Sequence, residues 1–169
     1  QTFLIQFQNE IAQYEIPLFR GAIIESLPEK ADILFHNHTD NDGFRYQYPY
    51  IQYKRIKGKA AIFCICDGVD AIGDFFSNRP QKIMLGDRTI TTDIECITPK
   101  RTLLQAWNTS FTYSIRNWIP LNSDNYKEYI KIEGLAERIK FLERIMTGNL
   151  LSFAKGVKIS IESPISCEI

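Results

Sequence analysis

The chain has 169 residues, 44% of them hydrophobic and 24% charged, which suits an ordinary globular fold with a sizeable core rather than a disordered or fibrous chain. Lysine plus arginine equals aspartate plus glutamate at 20 each, so the formal charge is zero. This excludes a surface that is basic all over, though not a local basic face. No apolar run approaches the roughly 20 residues of a membrane span, and "QTFLIQFQNE" lacks the basic start and long apolar core of a signal peptide. A cytoplasmic protein is expected, without membrane association.

In chain order, "TFLIQFQ" (2–8) reads as a strand. Pro17 opens a helix whose Phe19, Ala22, Ile23 and Leu27 share one face, and Pro28 ends it. A polar loop follows. "FRYQYPYIQYKRI" (44–56) alternates as a strand, with Pro49 favouring an edge or bulge, and the Lys57-Gly58 turn leads into the apolar strand 59–66. Asp67 is the expected N-cap of a helix with Val69, Ile72 and Phe76 on its buried face. "QKIMLG" (81–86) completes a β-α-β-β-α-β order, the split βαβ pattern of a ferredoxin-like domain.

The second half is less regular. Residues 89–98 and 102–119 read as extended, with helix also open between Trp107 and Trp118, a helix capped by Asn122 or Ser123 is expected to run on toward Met146, and 158–169 reads as a terminal strand. The predicted fold class is α+β, with one complete ferredoxin-like unit (1–88) and a reduced second one (89–169). Cys64, Cys66, Cys96 and Cys167 show no C-x-x-C pair, and the first two are expected to be small core residues.

The zero net charge hides segregation. Residues 44–66 contain Arg45, Lys54, Arg55, Lys57 and Lys59 among four tyrosines, and no acid. The acid-free windows 96–123 and 144–161 add Lys100, Arg101, Arg116, Arg144, Lys155 and Lys158, the former beside Trp107, Phe111, Tyr113 and Trp118. Basic groups neutralise phosphates, and aromatic faces stack unpaired bases. Strand tyrosines and turn lysines also have plain structural uses.

Both histidines of the chain, His36 and His38, lie in the polar loop. In an extended segment they face one side, roughly 6–7 Å apart at Cα. Such a pair suits the removal of a proton from an RNA 2′-hydroxyl by one imidazole and its donation to the leaving 5′-oxygen by the other. Lys30, Arg45 and Arg20 are the cations nearest in sequence. An H-x-H metal site with Asp32, Asp40 or Asp42, RNA binding without cleavage, and an inert loop remain open on spacing alone.

The stretches "LFRGAIIESLPEKADILFHNH", "GFRYQYPYIQYKRIKGKAAI", "GVDAIGDFFSN", "SIRNWIPLNSDNYKEY" and "GNLLSFAKGVKI" together resemble the CRISPR-associated repeat RNA endoribonucleases of the RAMP superfamily (Cas six family, variant b). The resemblance implies ferredoxin-like units and cleavage of CRISPR repeat RNA by 2′-hydroxyl attack, with no metal or other cofactor. It implies His36 and His38 as the catalytic pair, with Tyr46 and Lys30 as further active-site candidates. Of the pair, His38 is expected to be indispensable, being nearer Arg45. Arg20, Arg45, Lys54, Arg55 and Lys57 are the candidate RNA contacts. A homodimer and subunits of a CRISPR effector complex are the further partners considered. The glycine-rich C-terminal loop of the superfamily is represented only by Gly148 and Gly156. A non-cleaving RNA-binding subunit and a ligand- or metal-binding regulatory domain are the alternative functions.

Overall fold

The structure is a computed structural model, and it describes residues 1–27, 35, 48–116, 118–162 and 164–169. The chain divides into two compact units, Gln1–Leu103 and Leu104–Ile169.

The first unit opens with β1 (Thr2–Glu10), a short 3-10 turn (Gln13–Glu15) and α1 (Ile16–Glu25). Strands β2 (Ile51–Ile56) and β3 (Lys59–Ile65) form a hairpin, followed by α2 (Gly68–Asn78). Next come β4 (Lys82–Leu85), β5 (Arg88–Thr91) and β6 (Ile94–Lys100). The main sheet has the order β2-β3-β1-β6, and every adjacent pair is antiparallel. This is the ferredoxin-like arrangement: β1 and β2 run parallel with β3 between them, and β3 and β6 run parallel with β1 between them.

The fourth strand is not the one expected. "KIML" forms β4 but pairs with β5 in a separate hairpin, and β6 takes the place beside β1. Gly86, at φ +65°, opens the two-residue β4–β5 turn, a conformation that needs little from glycine and much from other residues. The hairpin is held by Thr92, whose hydroxyl donates to the Pro80 carbonyl and whose amide donates to the Gln81 carbonyl. Its Ile83, Leu85 and Ile90 join the core.

Alternation sends Phe3, Ile5 and Phe7 of β1 and Ala60, Ile62 and Cys64 of β3 to the helix side of the sheet. They meet Phe19 and Ile23 of α1 and Ala71, Ile72 and Phe75 of α2. Phe7 packs edge-to-face on Phe19 (5.4 Å between centroids) and on Phe75 (6.1 Å). Each such pair adds roughly 0.5–1.5 kcal/mol beyond the burial itself. Helix α2 therefore buries the face of Gly68, Ala71, Ile72 and Phe75, and Phe76, expected in the core, is partly exposed. Asp67 does not cap α2 with its side chain; its carbonyl takes the Asp70 and Ala71 amides.

Arg88 joins β5 to the turn before α1. It donates Nε to Glu15 Oε1 and Nη2 to Glu15 Oε2, both at 3.0 Å, and Nη2 also reaches the Glu10 carbonyl. Glu15 Oε2 accepts the Ala12 amide at 2.6 Å. That backbone hydrogen bond, helped by Arg88 and opposed by burial, holds the Glu15 carboxyl below the usual carboxylate range.

The described residues of the second unit contain α3 (Ser123–Tyr129) and α4 (Leu135–Gly156). Asn122 caps α3, accepting the Asn125 amide at 2.8 Å, as its sequence position suggests. One continuous helix to Met146 is not formed, because Gly134 adopts an extended conformation and serves as the N-cap of α4. The expected strand at 158–169 is also not formed among the described residues. Part of that tail is tied to α4 instead, Cys167 through its amide to the Thr147 hydroxyl and Ile169 through its amide to Glu143. No helix among the described residues is long and apolar enough to cross a membrane.

Candidate functional site

Lys30, His36, His38, Arg45 and Tyr46 lie outside the described residues, as do Asp32, Asp40 and Asp42. What the structure does describe is the chain on either side of 36–47. Phe35, the residue before His36, is 2% exposed and belongs to the hydrophobic core. On the far side Tyr50 and Ile51 are buried, the Tyr50 carbonyl accepts the Ile65 amide at 2.9 Å, and Gln52 Nε2 donates to the Pro49 carbonyl. Gly68, the first residue of α2, sits so close to Tyr50 that an added Cβ would stand 2.6 Å from the Tyr50 carbonyl oxygen. Both flanks are therefore fastened to the first unit, one through a core phenylalanine and the other through the end of the β2–β3 ladder.

Arg20 lies on α1, half-buried, and acts electrostatically on Tyr53 of β2. The Tyr53 ring packs edge-to-face on Phe19 at 6.0 Å. Its hydroxyl is closed off from solvent and has no hydrogen-bond partner among the described residues. Burial raises its pKa well above the ordinary phenol value, with Arg20 opposing the rise. Arg20 and Tyr53 share the helix side of the sheet.

Lys54 follows Tyr53 in β2 and so faces the other way. Its Nζ stands 5.9 Å from the centroid of the Phe63 ring, and burial lowers the pKa of its ammonium. Among the described residues no carboxylate pairs with it. A half-buried cation resting on an aromatic face and lacking a counter-charge is well disposed to receive an anion.

Arg55 has a structural task. Its Nε donates to the Ile11 carbonyl at 2.6 Å, while the Ile11 amide donates to the Gly58 carbonyl at 2.9 Å, so the chain leaving β1 is pinned to the hairpin tip. Lys57 and Gly58 make that tip with φ of 50° and 87°, the two positive values of the tight turn that suits a twisted hairpin. Lys57 is exposed and lines an open groove with Gln6, Lys59, Glu95 and Cys96. Lys59 is already paired to Glu95 at 2.6 Å.

The predicted cations thus fall in three places. Arg20 belongs to the helix side, whereas Lys54 is on the opposite face and Lys57 at the hairpin tip. Sequence reading counted Tyr53 among the tyrosines of the basic window but not as a core residue, and it missed Phe63 and the groove partners Gln6, Glu95 and Cys96. The parity of the β2–β3 register would have placed Lys54 and Phe63 on one face, but the groove depends on β6 pairing with β1. Basic residues of the second unit are partly engaged. The Arg138 guanidinium lies 5.2 Å from the Tyr129 ring and that of Arg144 lies 4.8 Å from Phe141. Among the described residues no cluster of three His, Cys, Asp or Glu could hold a metal ion.

Residues 1–102 match the Cas6b N-terminal domain, and residues 105–169 match the Cas6b C-terminal domain. A crystal structure of Cas6b is similar with a TM-score of 0.71 at 23% identity, covering 96% of this chain and 74% of that one. A crystal structure of the CRISPR RNA processing endoribonuclease Cas6b is similar with a TM-score of 0.65 at 19% identity, covering 96% of this chain and 71% of that one. At these identities the likeness carries the fold. No curated protein matches the sequence.

Proposed function

This chain belongs to the Cas6b family, and on that premise we propose that it is a CRISPR RNA-processing endoribonuclease that cuts repeat RNA by 2′-hydroxyl attack. The observation that carries the reading is the family match across nearly the whole chain, with the only two histidines inside the matched N-terminal domain. Two further features support it. The histidine segment is fastened at Phe35 and Tyr50, which suits a catalytic loop on a rigid scaffold. Half-buried and without a carboxylate partner among the described residues, Lys54 suits a phosphate contact.

In the proposed reaction one histidine removes the 2′-proton. The 2′-oxygen then forms a bond to the adjacent phosphorus as the bond from phosphorus to the 5′-oxygen breaks. The other histidine gives its proton to that leaving oxygen. The products are a 2′,3′-cyclic phosphate and a 5′-hydroxyl, and the reaction needs no metal. Imidazoles serve both roles near neutral pH because their ordinary pKa lies close to it. Lys30 and Arg45 stabilise charge on the phosphorane, with Tyr46 as an auxiliary donor, while Lys54 and Lys57 hold phosphates on the open face of the sheet and Arg20 is a separate contact on the helix side. Arg55 is left to its task at the hairpin tip.

The test is cleavage of repeat RNA in EDTA by wild type, His36→Ala and His38→Ala, with a substrate carrying a 2′-deoxy scissile nucleotide beside them. The reading requires a cyclic phosphate product, loss of roughly a hundredfold or more in rate for at least one histidine variant, and no cutting of the 2′-deoxy substrate. Tight binding with no wild-type cleavage would replace it with a non-cleaving RNA-binding subunit.

A further inference from the structure

The second unit exposes a run of aromatic side chains that its own packing leaves unused. Between residues 104 and 116 the backbone forms neither helix nor strand. Within seven residues of that stretch Trp107 is 66% exposed, Phe111 59% and Tyr113 79%. Single exposed apolar residues are ordinary, but three large rings so close in sequence lose the hydrophobic stabilisation that burial would bring and call for an occupant.

Charge and composition select that occupant. Residues 96–123 contain no acid and three basic residues. Arg116 is exposed, with no carboxylate partner among the described residues. The residues between the rings are amides and hydroxyls (Asn108, Thr109, Ser110, Thr112), which can donate to sugar and base edges. The Phe111 and Tyr113 rings stand 6.3 Å apart at their centroids, tilted by 36°. A flat base between two rings needs about 7 Å, two contacts of about 3.5 Å each. A small opening of this pair would admit one, and the outer ring faces can each take another. Basic groups beside exposed rings are the means by which unpaired nucleic acid is held without base-specific hydrogen bonds.

We propose that Trp107, Phe111 and Tyr113, with Arg116, form a stacking site for unpaired bases of the RNA substrate, distinct in sequence from the histidine loop. The proposal rests on the RNA-processing reading and adds a binding site to it. Leu104 and Ile115 flank the rings and would also suit a protein partner, which the test must separate.

Binding of oligouridine and of repeat RNA is measured in the His36→Ala/His38→Ala background, so that the RNA stays intact. Trp107→Ala, Phe111→Ala and Tyr113→Ala are each expected to weaken oligouridine binding roughly tenfold. Tyr113→Phe keeps the affinity, and the melting temperature stays the same because these side chains are exposed. Trp107 emission is quenched on binding, and the quench disappears in Trp107→Phe. Affinities within about twofold of the parent for all three alanine variants overturn the proposal, since each lost stacking ring is worth more than that. So does a loss of self-association or of protein binding with RNA affinity unchanged. A protein that binds RNA through these rings yet never cuts keeps the stacking site and loses the nuclease reading. One that cuts normally, with ring-independent binding, does the reverse.

Discussion

Gly68→Ala isolates the packing that holds one end of the histidine segment. A Cβ at residue 68 would lie 2.6 Å from the Tyr50 carbonyl oxygen and 2.9 Å from both its carbonyl carbon and its Cβ. Two of these atoms are backbone, in a residue whose carbonyl accepts the Ile65 amide, so rotation of a flexible side chain cannot relieve the clash. Either α2 lifts from the sheet or the end of β2 moves and that hydrogen bond weakens. Overpacking of this kind costs about 1–3 kcal/mol. Gly73, in the middle of the same helix, has nothing within 4 Å of its added Cβ. There Gly73→Ala should stabilise by about 1 kcal/mol, the difference in helix propensity. For a unit of about 100 residues each kcal/mol moves the melting temperature by roughly 4–8 °C. Scanning calorimetry or urea unfolding should therefore show shifts of opposite sign for two chemically identical substitutions in one helix. RNA cleavage should slow in Gly68→Ala, measured well below its transition, and stay normal in Gly73→Ala. If Gly68→Ala is as stable as Gly73→Ala, the close approach of α2 to Tyr50 is wrong, and so is the account of how the loop is fastened.

Three further outcomes are expected. Lys54→Met should leave stability unchanged or slightly raised, since it removes a half-buried cation lacking a counter-charge among the described residues. It should also lower the slope of log affinity for single-stranded RNA against log salt by about 0.7; an unaltered slope would remove Lys54 from the interface. Glu15 has a depressed carboxyl pKa in the folded protein, so its stabilisation is present above the ordinary carboxylate range and is lost as pH falls through the folded value. Wild type should accordingly be more stable than Glu15→Gln at neutral pH, with the gap closing in acid; a gap independent of pH in denaturation series would refute the role given to the charge. The Cys64 thiol is buried and pushed up to about 12, whereas Cys96 is exposed. Ellman's reagent at pH 8 should modify Cys96 at once and Cys64 only on unfolding, and rapid native labelling of Cys64 would contradict its place in the core.

Much of the first unit could be read from local pattern. The run of apolar residues in "PLFRGAII", the alternation in 51–56 and 59–65, and the Lys57-Gly58 turn all encode elements whose period is a property of a few adjacent residues. The capping role of Asn122 was legible for the same reason. A face one residue off was harder: in α2 the adjacent Phe75 and Phe76 both fit a helical stripe, and only packing against Phe7 selects Phe75.

By itself, then, the sequence determined the order of strands and helices from β1 to β4, the acid-free basic windows and the concentration of both imidazoles at 36 and 38. Only tertiary structure decided which strand lies beside β1. The ladder is made by backbone groups that differ little from residue to residue, Pro99 alone in β6 lacking a donor, so both "KIML" and "IECITPK" can pair. The choice fell to β6 once Ile83 and Leu85 of β4 were buried with Ile90 of β5 in their own hairpin. That choice built the Gln6–Lys59–Glu95 groove and paired Lys59 with Glu95. It was also long-range contact that set Arg20 and Lys54 on opposite faces and committed Arg55 to Ile11, because a residue's neighbours across a sheet are fixed by register and not by distance along the chain.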